Sequence, residues 1–291
     1  TPALPSLRVI YFTNQAPEVA LAVTGLLKQF GQHVPLLVTT PGPAARRGEM
    51  YKQTIASLPP DQDVLVTNHI NRLPAMLAGL EPDLIVVTGF PWKLPPALLA
   101  MPKLGCINFH PALLPRYRGP NPLFWQLMNG ETETGLTVHR MEPEFDTGPI
   151  LAQRSIPIEP DDDIDSIYPK LLPLGAELAL EALTLVAAGA PGVPQREEEA
   201  SYAPLSTEAD RWLDWSRPAS QLRNQIRAWG QEGALAEIDG QRYLARRANV
   251  VALSPALAPA RPGTLLEWSA QGALVRVGDE ALLIEESEPA S

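Results

Sequence analysis

The run Leu84-Ile85-Val86-Val87-Thr88 is apolar at successive positions, with no alternation of polar and apolar side chains. A strand half-exposed to water alternates; one that does not is buried on both faces, as in a parallel sheet covered by helices. The segments around it repeat that theme. Residues 7–12 predict a first buried strand and 17–30 a helix, with Gly31 where a left-handed cap belongs. Residues 34–39 predict a second strand. The Pro41-Gly42-Pro43 break then precedes a helix from Gly48 to Ser57, a strand over 63–67 and a helix over 72–80. Strand and helix alternating at this spacing predict an α/β fold with a doubly wound, Rossmann-like parallel sheet. Ligands in such sheets sit outside the carboxyl ends of the strands. Phe90 to Trp92 and Asn108 to His110 both lie at such ends.

The pattern changes farther along. Residues 121–129 predict a helix, 135–141 and 150–158 strands, and 166–188 a long helix. Gly189-Ala190-Pro191-Gly192-Val193-Pro194 and the charged run after it predict a connection over 190–205, separating a first domain, 1–189, from a second, 206–291. Beyond it come one helix, 219–229, and short strands at 236–238, 242–245, 263–266, 274–277 and 282–285. Short strands punctuated by Gly predict a small barrel.

Composition limits the partners. Of 291 residues, 45% are hydrophobic and 19% charged, as in a globular protein. No apolar run approaches the roughly 18 residues of a membrane span. The opening Thr1-Pro2-Ala3-Leu4-Pro5-Ser6 lacks the charged head and apolar stretch of a signal peptide. Cys106 is the single cysteine, so no internal disulfide forms and a reducing cytoplasm is the expected home. It reads as a small buried hydrophobe, not a nucleophile. Net charge is −10, from 33 acidic and 23 basic residues. From Ala200 to Ser291 nine Arg, no Lys and twelve acidic residues leave −3. A nucleic-acid grip needs concentrated positive charge. Arg242, Arg246 and Arg247 form only a short cluster that reads as solvated charge on an edge strand. The balance argues against a nucleic-acid partner and for a small molecule.

The chemistry gathers in two blocks, 104–119 and 130–148. Asn108 and His110 are two residues apart, so on a strand they point to one face. Asp146, in Asp146-Thr147-Gly148, lies on a loop where a carboxylate can approach an imidazole. An imidazole with a pKa of about 6.5 accepts a proton from an attacking amine at pH 7. The carboxylate orients it, and an amide N–H serves an oxygen that gains negative charge. His110, Asp146 and Asn108 fill those three roles, which is acyl-transfer equipment. His33 and His69 read as loop residues, and His139 as core packing or a pocket wall. No cluster has metal-ligand spacing, so no metal is expected. Asp161-Asp162-Asp163 reads as a helix-start cap.

Asn108-Phe109-His110-Pro111-Ala112-Leu113-Leu114-Pro115 and the later Asp146-Thr147-Gly148 resemble the paired signatures of the folate-dependent formyltransferases. The run Asn129 to Gly135 with Val138-His139-Arg140-Met141 is similar to the amino-sugar members, and Asp214-Trp215-Ser216 to the opening of the C-terminal domain in the tRNA and amino-sugar enzymes. The resemblance spans nearly the whole chain. It implies a formyltransferase catalytic domain over 1–189, an open, OB-like barrel over 206–291, and 10-formyltetrahydrofolate as donor. Donor contacts are implied at Trp92, Lys93 and Leu94, at Ala112, Leu113, Leu114 and Pro115, and at Glu142, Pro143, Glu144 and Phe145. Phe90, Trp92 and Phe145 would give flat apolar walls; for Trp92, core packing is the competing role. Tyr117, Arg118 and Asn121 follow the Leu-Leu-Pro loop and are expected to face the acceptor. Arg118 either reads a carboxylate or phosphate on it or braces the loop against an acidic residue.

The acceptor side departs from the pattern. Pro120 stands where the sugar-nucleotide enzyme has an arginine. The basic insertion of the tRNA enzyme shrinks to residues 40–50 with only Arg46 and Arg47, and Trp229-Gly230-Gln231-Glu232-Gly233 replaces its Asn-Pro-Trp-Pro turn. The first strand ends in Phe12-Thr13-Asn14, where many relatives place a glycine. The expected function is therefore N-formylation of a small primary amine: an amino sugar, an amino acid or a biosynthetic intermediate. The alternatives are methionyl-tRNA formyltransferase, formyltetrahydrofolate hydrolase and a folate-binding module without catalysis.

Overall fold

A computed structural model describes residues 4–42, 50–254, 260–278 and 280–290. Pro43, Gly48, Arg46 and Arg47 lie outside them, and with them parts of the Pro-Gly-Pro break, the helix start and the shortened insertion. The chain divides into two compact units. One holds Thr1–Pro120, Gly135–Ser155 and Lys170–Tyr202; the other holds Asn121–Thr134, Ile156–Pro169 and Ala203–Ser291.

The first unit is built on a seven-stranded sheet: β1 (Arg8–Thr13), β2 (His33–Thr39), β3 (Val64–Val66), β4 (Leu84–Thr88), β5 (Cys106–His110), β6 (Glu133–Arg140) and β7 (Ile150–Pro157), in the order β3-β2-β1-β4-β5-β6-β7. The β1–β2, β2–β3, β1–β4 and β4–β5 pairs are parallel. All five residues of β4 are buried, which is why its sequence does not alternate. Ile10, Phe12, Val38, Ile85 and Val87 from these strands pack with Leu73, Leu77 and Leu98 from helices.

The helices follow local rules. Helix α1 (Pro17–Gln29) starts on Pro17, where a missing N–H costs nothing, and buries Ala20, Thr24 and Leu27 at helical spacing. Gly31, at φ 77°, ends it as expected, and the Gln32 amide reaches back to the Leu27 carbonyl at 3.0 Å. Helix α2 covers Met50–Ser57. The helix expected over 72–80 is instead a 3₁₀ turn (Ile70–Arg72), a short α3 (Leu73–Leu77) and a second 3₁₀ turn (Ala78–Leu80). Pro74 cannot donate and Gly79 disfavours helix, so a regular helix does not propagate.

The expected parallel sheet is mixed. After α4 (Pro96–Leu99) and β5, the seven-residue α5 (Pro122–Met128) leads into β6, which runs antiparallel to β5. Strand β6 is buried at six successive positions, and such a run carries no information on direction.

Helix α6 (Ile164–Ala187) opens on the acidic run. The Ser166 amide donates to Asp163 Oδ1 at 2.8 Å and its hydroxyl to Asp162 Oδ1 at 2.8 Å, so the aspartates cap the helix. In the second unit α7 (Ala219–Trp229) buries Leu222, Gln225, Ile226 and Trp229, one helical face. Five strands, β8 (Ala234–Ile238), β9 (Gln241–Ala252), β10 (Leu265–Ser269), β11 (Gly272–Val277) and β12 (Glu280–Pro289), form an antiparallel sheet in the order β10-β11-β12-β9-β8, consistent with an OB-like domain. Strand β9 runs on to Ala252, well past the expected 242–245. Its arginines are paired: Arg246 with Glu288 at 2.5 Å, Arg247 with Glu285 at 3.1 Å, while Arg242 lies over the Trp212 ring. Among the described residues no helix is long and apolar enough to cross a membrane.

Candidate active site

Asn108 and His110 share one face at the carboxyl end of β5, as their spacing requires. The register with β6 adds a third group. Asn108 faces His139 and His110 faces Thr137 across the strands, and directly opposed residues share a face. The Asp146 loop closes on them. Asp146 sits at φ 56°, a left-handed conformation that Asp tolerates better than most residues. Gly148 is held so close to β6 that a Cβ there would meet the Arg140 carbonyl oxygen at 1.9 Å.

The contacts around Asp146 are dense. Its Oδ2 accepts the Gly119 amide at 2.7 Å and lies 3.5 Å from His110 Nδ1. Its Oδ1 accepts the Asn108 side-chain amide at 3.2 Å and lies 3.3 Å from His139 Nε2. His110 Nε2 is 2.7 Å from the Tyr117 carbonyl, which can only accept, so Nε2 carries the proton and Nδ1, on the Asp146 side, holds the lone pair. His139 donates Nδ1–H to the Arg140 carbonyl at 2.8 Å, leaving Nε2 to accept from Asn108 at 3.2 Å. Both Asn108 amide hydrogens are thus engaged, one toward Asp146 and one toward His139.

His110 is 3% exposed. Burial pushes its pKa below the ordinary 6.5, and the neighbouring His139 adds to this, against the opposing pull of Asp146 and of the Tyr117 carbonyl. Burial alone would raise the Asp146 carboxyl. The His110 charge, the hydrogen bond and charge of His139 and the Gly119 amide overrule it and hold the group well below the carboxylate range. At neutral pH the centre is a neutral imidazole beside a carboxylate. Cys106, buried with its thiol pushed up to about 12, is no nucleophile.

The other expected site residues divide. Trp92, Lys93 and Phe145 line a cavity of about 550 Å³, together with Pro91 and the segment Asn68 to Arg72. Phe145 immediately precedes Asp146, so the cavity reaches the reactive loop. Lys93 pairs with Glu144 and lies 5.3 Å from the Phe145 ring centroid, and Trp92 donates to the Thr40 hydroxyl at 3.1 Å. Phe90 and Leu94 are core residues instead, Phe90 edge-on to Phe12 at 5.2 Å. Ala112 and Leu114 are buried under Thr137, whose hydroxyl donates to the Ala112 carbonyl at 2.6 Å and accepts the Leu114 amide at 3.3 Å. Leu113 and Pro115 are half-buried on that loop, and the Pro115 carbonyl accepts the Ser201 amide at 3.3 Å. Glu142 and Pro143 are exposed.

Of the expected acceptor residues, Tyr117 is 7% exposed, at φ 60°, and presents its carbonyl to His110. Arg118 takes the bracing role. Its guanidinium meets Glu197 at 2.7 and 2.9 Å and Gln195 Oε1 at 2.9 and 3.0 Å. Asn121, at the start of α5 in the other unit, donates to the Ser206 hydroxyl at 3.1 Å.

Two contributors were not picked out from the sequence, Thr137 under the Leu-Leu-Pro loop and Gln195 in the stretch expected to be a plain connection, and His139, read as core packing or a pocket wall, lies against Asp146. For His139 and Thr137 the missing information is the antiparallel register of β5 and β6. Gln195 sits in an aperiodic polar run that carries no signal of its partners.

Residues 7–183 match the formyl transferase family and residues 206–291 its C-terminal domain. Similar proteins include the methionyl-tRNA formyltransferase of Geobacter sulfurreducens, 37% identical over 97% of this chain and 89% of that one. That of Synechococcus sp. is 38% identical over 97% and 91%. The chain therefore belongs to the formyl transferase family and is a folate-dependent formyltransferase. The fold recurs in HypX from Aquifex aeolicus, solved with tetrahydrofolic acid, at TM-score 0.70 and 20% identity; that match covers 99% of this chain and 45% of HypX. It recurs also in the sugar 3N-formyl transferase WlaRD, solved with dTDP and 5-N-formyl-THF, at TM-score 0.65 and 14% identity, over 97% and 98% of the two chains.

Proposed function

We propose that this chain is a methionyl-tRNA formyltransferase, moving the formyl group of 10-formyltetrahydrofolate to the amine of methionyl-tRNA. One observation carries the acceptor: two relatives so named share 37% and 38% of their residues with it over 97% of its length. This reverses the expectation of a small amine and no nucleic acid. That expectation rested on the acidic balance, −10 overall and −3 over 200–291, and on the shortened insertion and replaced turn. Net charge does not describe a local surface, and the overall likeness to the two tRNA enzymes outweighs those two local departures. The catalytic work is assigned to the domain over 1–189, with 206–291 as the OB-like domain and 190–205 between them. With that acceptor, the cytoplasm is the proposed location.

The cavity suits the donor. Trp92 and Phe145 offer flat apolar walls to a fused ring and its aryl extension, with Lys93 at the rim. The donor supplies an activated one-carbon acyl group. His110 would take at Nδ1 the proton of the amine as its nitrogen bonds the formyl carbon, and return that proton to the donor nitrogen as the formyl–nitrogen bond breaks and tetrahydrofolate leaves. Asp146, 3.5 Å away, stabilises the imidazolium and needs no proton itself. Asn108 exchanges its bond to His139 for one to the oxygen that gains charge.

The test is direct competition. With formyl donor present, methionyl-tRNA is expected to be formylated with kcat/KM far above that for free methionine or amino sugars. Turnover of a small amine with none of methionyl-tRNA would restore the small-amine reading, which the acidic composition and the paired Arg246 and Arg247 favour. Release of tetrahydrofolate without any acceptor would point to a hydrolase.

A further inference from the structure

We propose that Gln195 is a positioning residue for the reaction, fixing the Asp146 loop to the Arg118-Gly119 turn so that the carboxylate stays aimed at His110. The inference rests on the reading of Asp146 and His110 as the reacting centre. Gln195 donates from Nε2 to the Asp146 carbonyl at 2.7 Å and to the Gly148 carbonyl at 2.7 Å, spending both amide hydrogens on one loop. Its Oε1 accepts from Arg118 Nε at 3.0 Å and Nη2 at 2.9 Å. The residue after Arg118 supplies the Gly119 amide that holds the Asp146 carboxylate at 2.7 Å. A closed circuit results: carboxylate to Gly119, along the chain to Arg118, across to Gln195, and back to the Asp146 carbonyl.

The circuit answers a need of the loop. Asp146 is held in the left-handed region, which a non-glycine residue keeps only where its surroundings impose it. The amide of Gln195 supplies that constraint from a segment remote in sequence. Only a side chain with donors at one end and an acceptor on the same group can serve two carbonyls and an arginine together. Of the other groups near the imidazole, Asp146 raises its pKa, while His139 on β6 lowers it. The Arg118–Glu197 pair lies one step out, joined to the centre through Gln195 and the Gly119 amide.

The two arms separate experimentally. Gln195→Glu keeps the acceptor for Arg118 and loses both donors; Gln195→Ala loses both arms. The inference expects either variant to lose about 10–100-fold in kcat, the range for removing a group that orients a reacting ligand, with donor KM within about threefold. The acid limb of kcat should also move to lower pH, because a displaced Asp146 no longer raises the His110 pKa. Melting temperature checks that each variant is folded, and if Gln195→Ala unfolds, Gln195→Glu and Gln195→Asn decide. A Gln195→Glu enzyme within twofold of wild type with an unmoved acid limb would overturn the inference and leave the proposed chemistry standing. Full activity in Asp146→Asn, measured alongside, would instead remove the reading on which it rests.

Discussion

The Asp146 centre and the cavity beside Trp92 adjoin in the chain but are built on opposite terms. In the centre Asn108, His110, His139 and Asp146 are buried or half-buried, each held by other side chains or by backbone. The cavity is bordered by Asn68, His69, Asn71 and Arg72, all exposed, and by aromatic rings of intermediate burial. A buried, cross-linked constellation keeps its geometry without ligand, which is what charge stabilisation requires. A wide and partly wet pocket tolerates change, because no single contact in it dominates. Substitutions in the centre should therefore destroy rate, and substitutions in the cavity should mainly weaken donor binding.

The largest expected effect is at the proton acceptor and its carboxylate. His110→Ala and Asp146→Asn should each lower kcat by about 10²–10⁴ while the protein stays folded, measured by initial rates alongside circular dichroism. Asn108→Ala should cost about 10²–10³, the range for one donor to a developing oxyanion. A near-normal kcat in these variants would erase the contrast between the two regions. His139→Ala should cost less, about tenfold. Within the centre it removes the Asn108–His139 hydrogen bond, worth about 1 ± 0.5 kcal/mol, and leaves Asn108 bonded to Asp146; the bond to the Arg140 carbonyl lost with it lies outside the centre.

The pH dependence follows from the same burial. His110 must be neutral to act, and its pKa lies below 6.5, so kcat should fall on the acid side only below that value. Stability carries the same sign. The unfolded chain binds the His110 proton more tightly than the folded one, so folding weakens as pH drops below 6.5. Asp146 contributes stability that is present above its unfolded value of 3.8 and is lost as pH falls through its lower folded value. Urea titrations from pH 8 to pH 4 check the histidine part, and extending them to pH 2 enters the range where the Asp146 part begins to be lost; stability that rose toward pH 5 would put a charged histidine in the folded state.

The smallest expected effect is in the cavity. Trp92→Ala should raise donor KM by about two- to tenfold, in line with the roughly 0.5–1.5 kcal/mol of a single aromatic contact, with kcat nearly unchanged. A large loss of kcat there would mean that cavity and centre act as one unit.

These two regions also differed in how far the sequence alone revealed them. Strand β4 declares its burial by unbroken apolarity, and Asn108 and His110 declare a common face by their spacing. Both are local properties. His139 joins the site only through the β5–β6 register, and Gln195 only through a contact with Asp146 across 49 residues of chain. Neither leaves a periodicity. Strand β9 extends to Ala252, beyond the expected 242–245, and its Arg246 and Arg247 find their partners Glu288 and Glu285 on a strand some 40 residues later. Leu94 is implied at the donor pocket by the family resemblance and Phe90 by its flat ring, yet both lie in the core cluster, because a short loop sends nearby side chains into different environments.

The central claim is that a neutral His110, steadied by an ionised Asp146, accepts the amine proton during formyl transfer. Single-turnover transfer from 10-formyltetrahydrofolate to methionyl-tRNA, followed from pH 5 to pH 8 in wild type and Asp146→Asn, tests it most directly. The account predicts a wild-type rate that falls only below pH 6.5, and a variant slower by at least about a hundredfold at every pH. Equal rates in the two enzymes, or a wild-type rate that does not fall at acid pH, would contradict it.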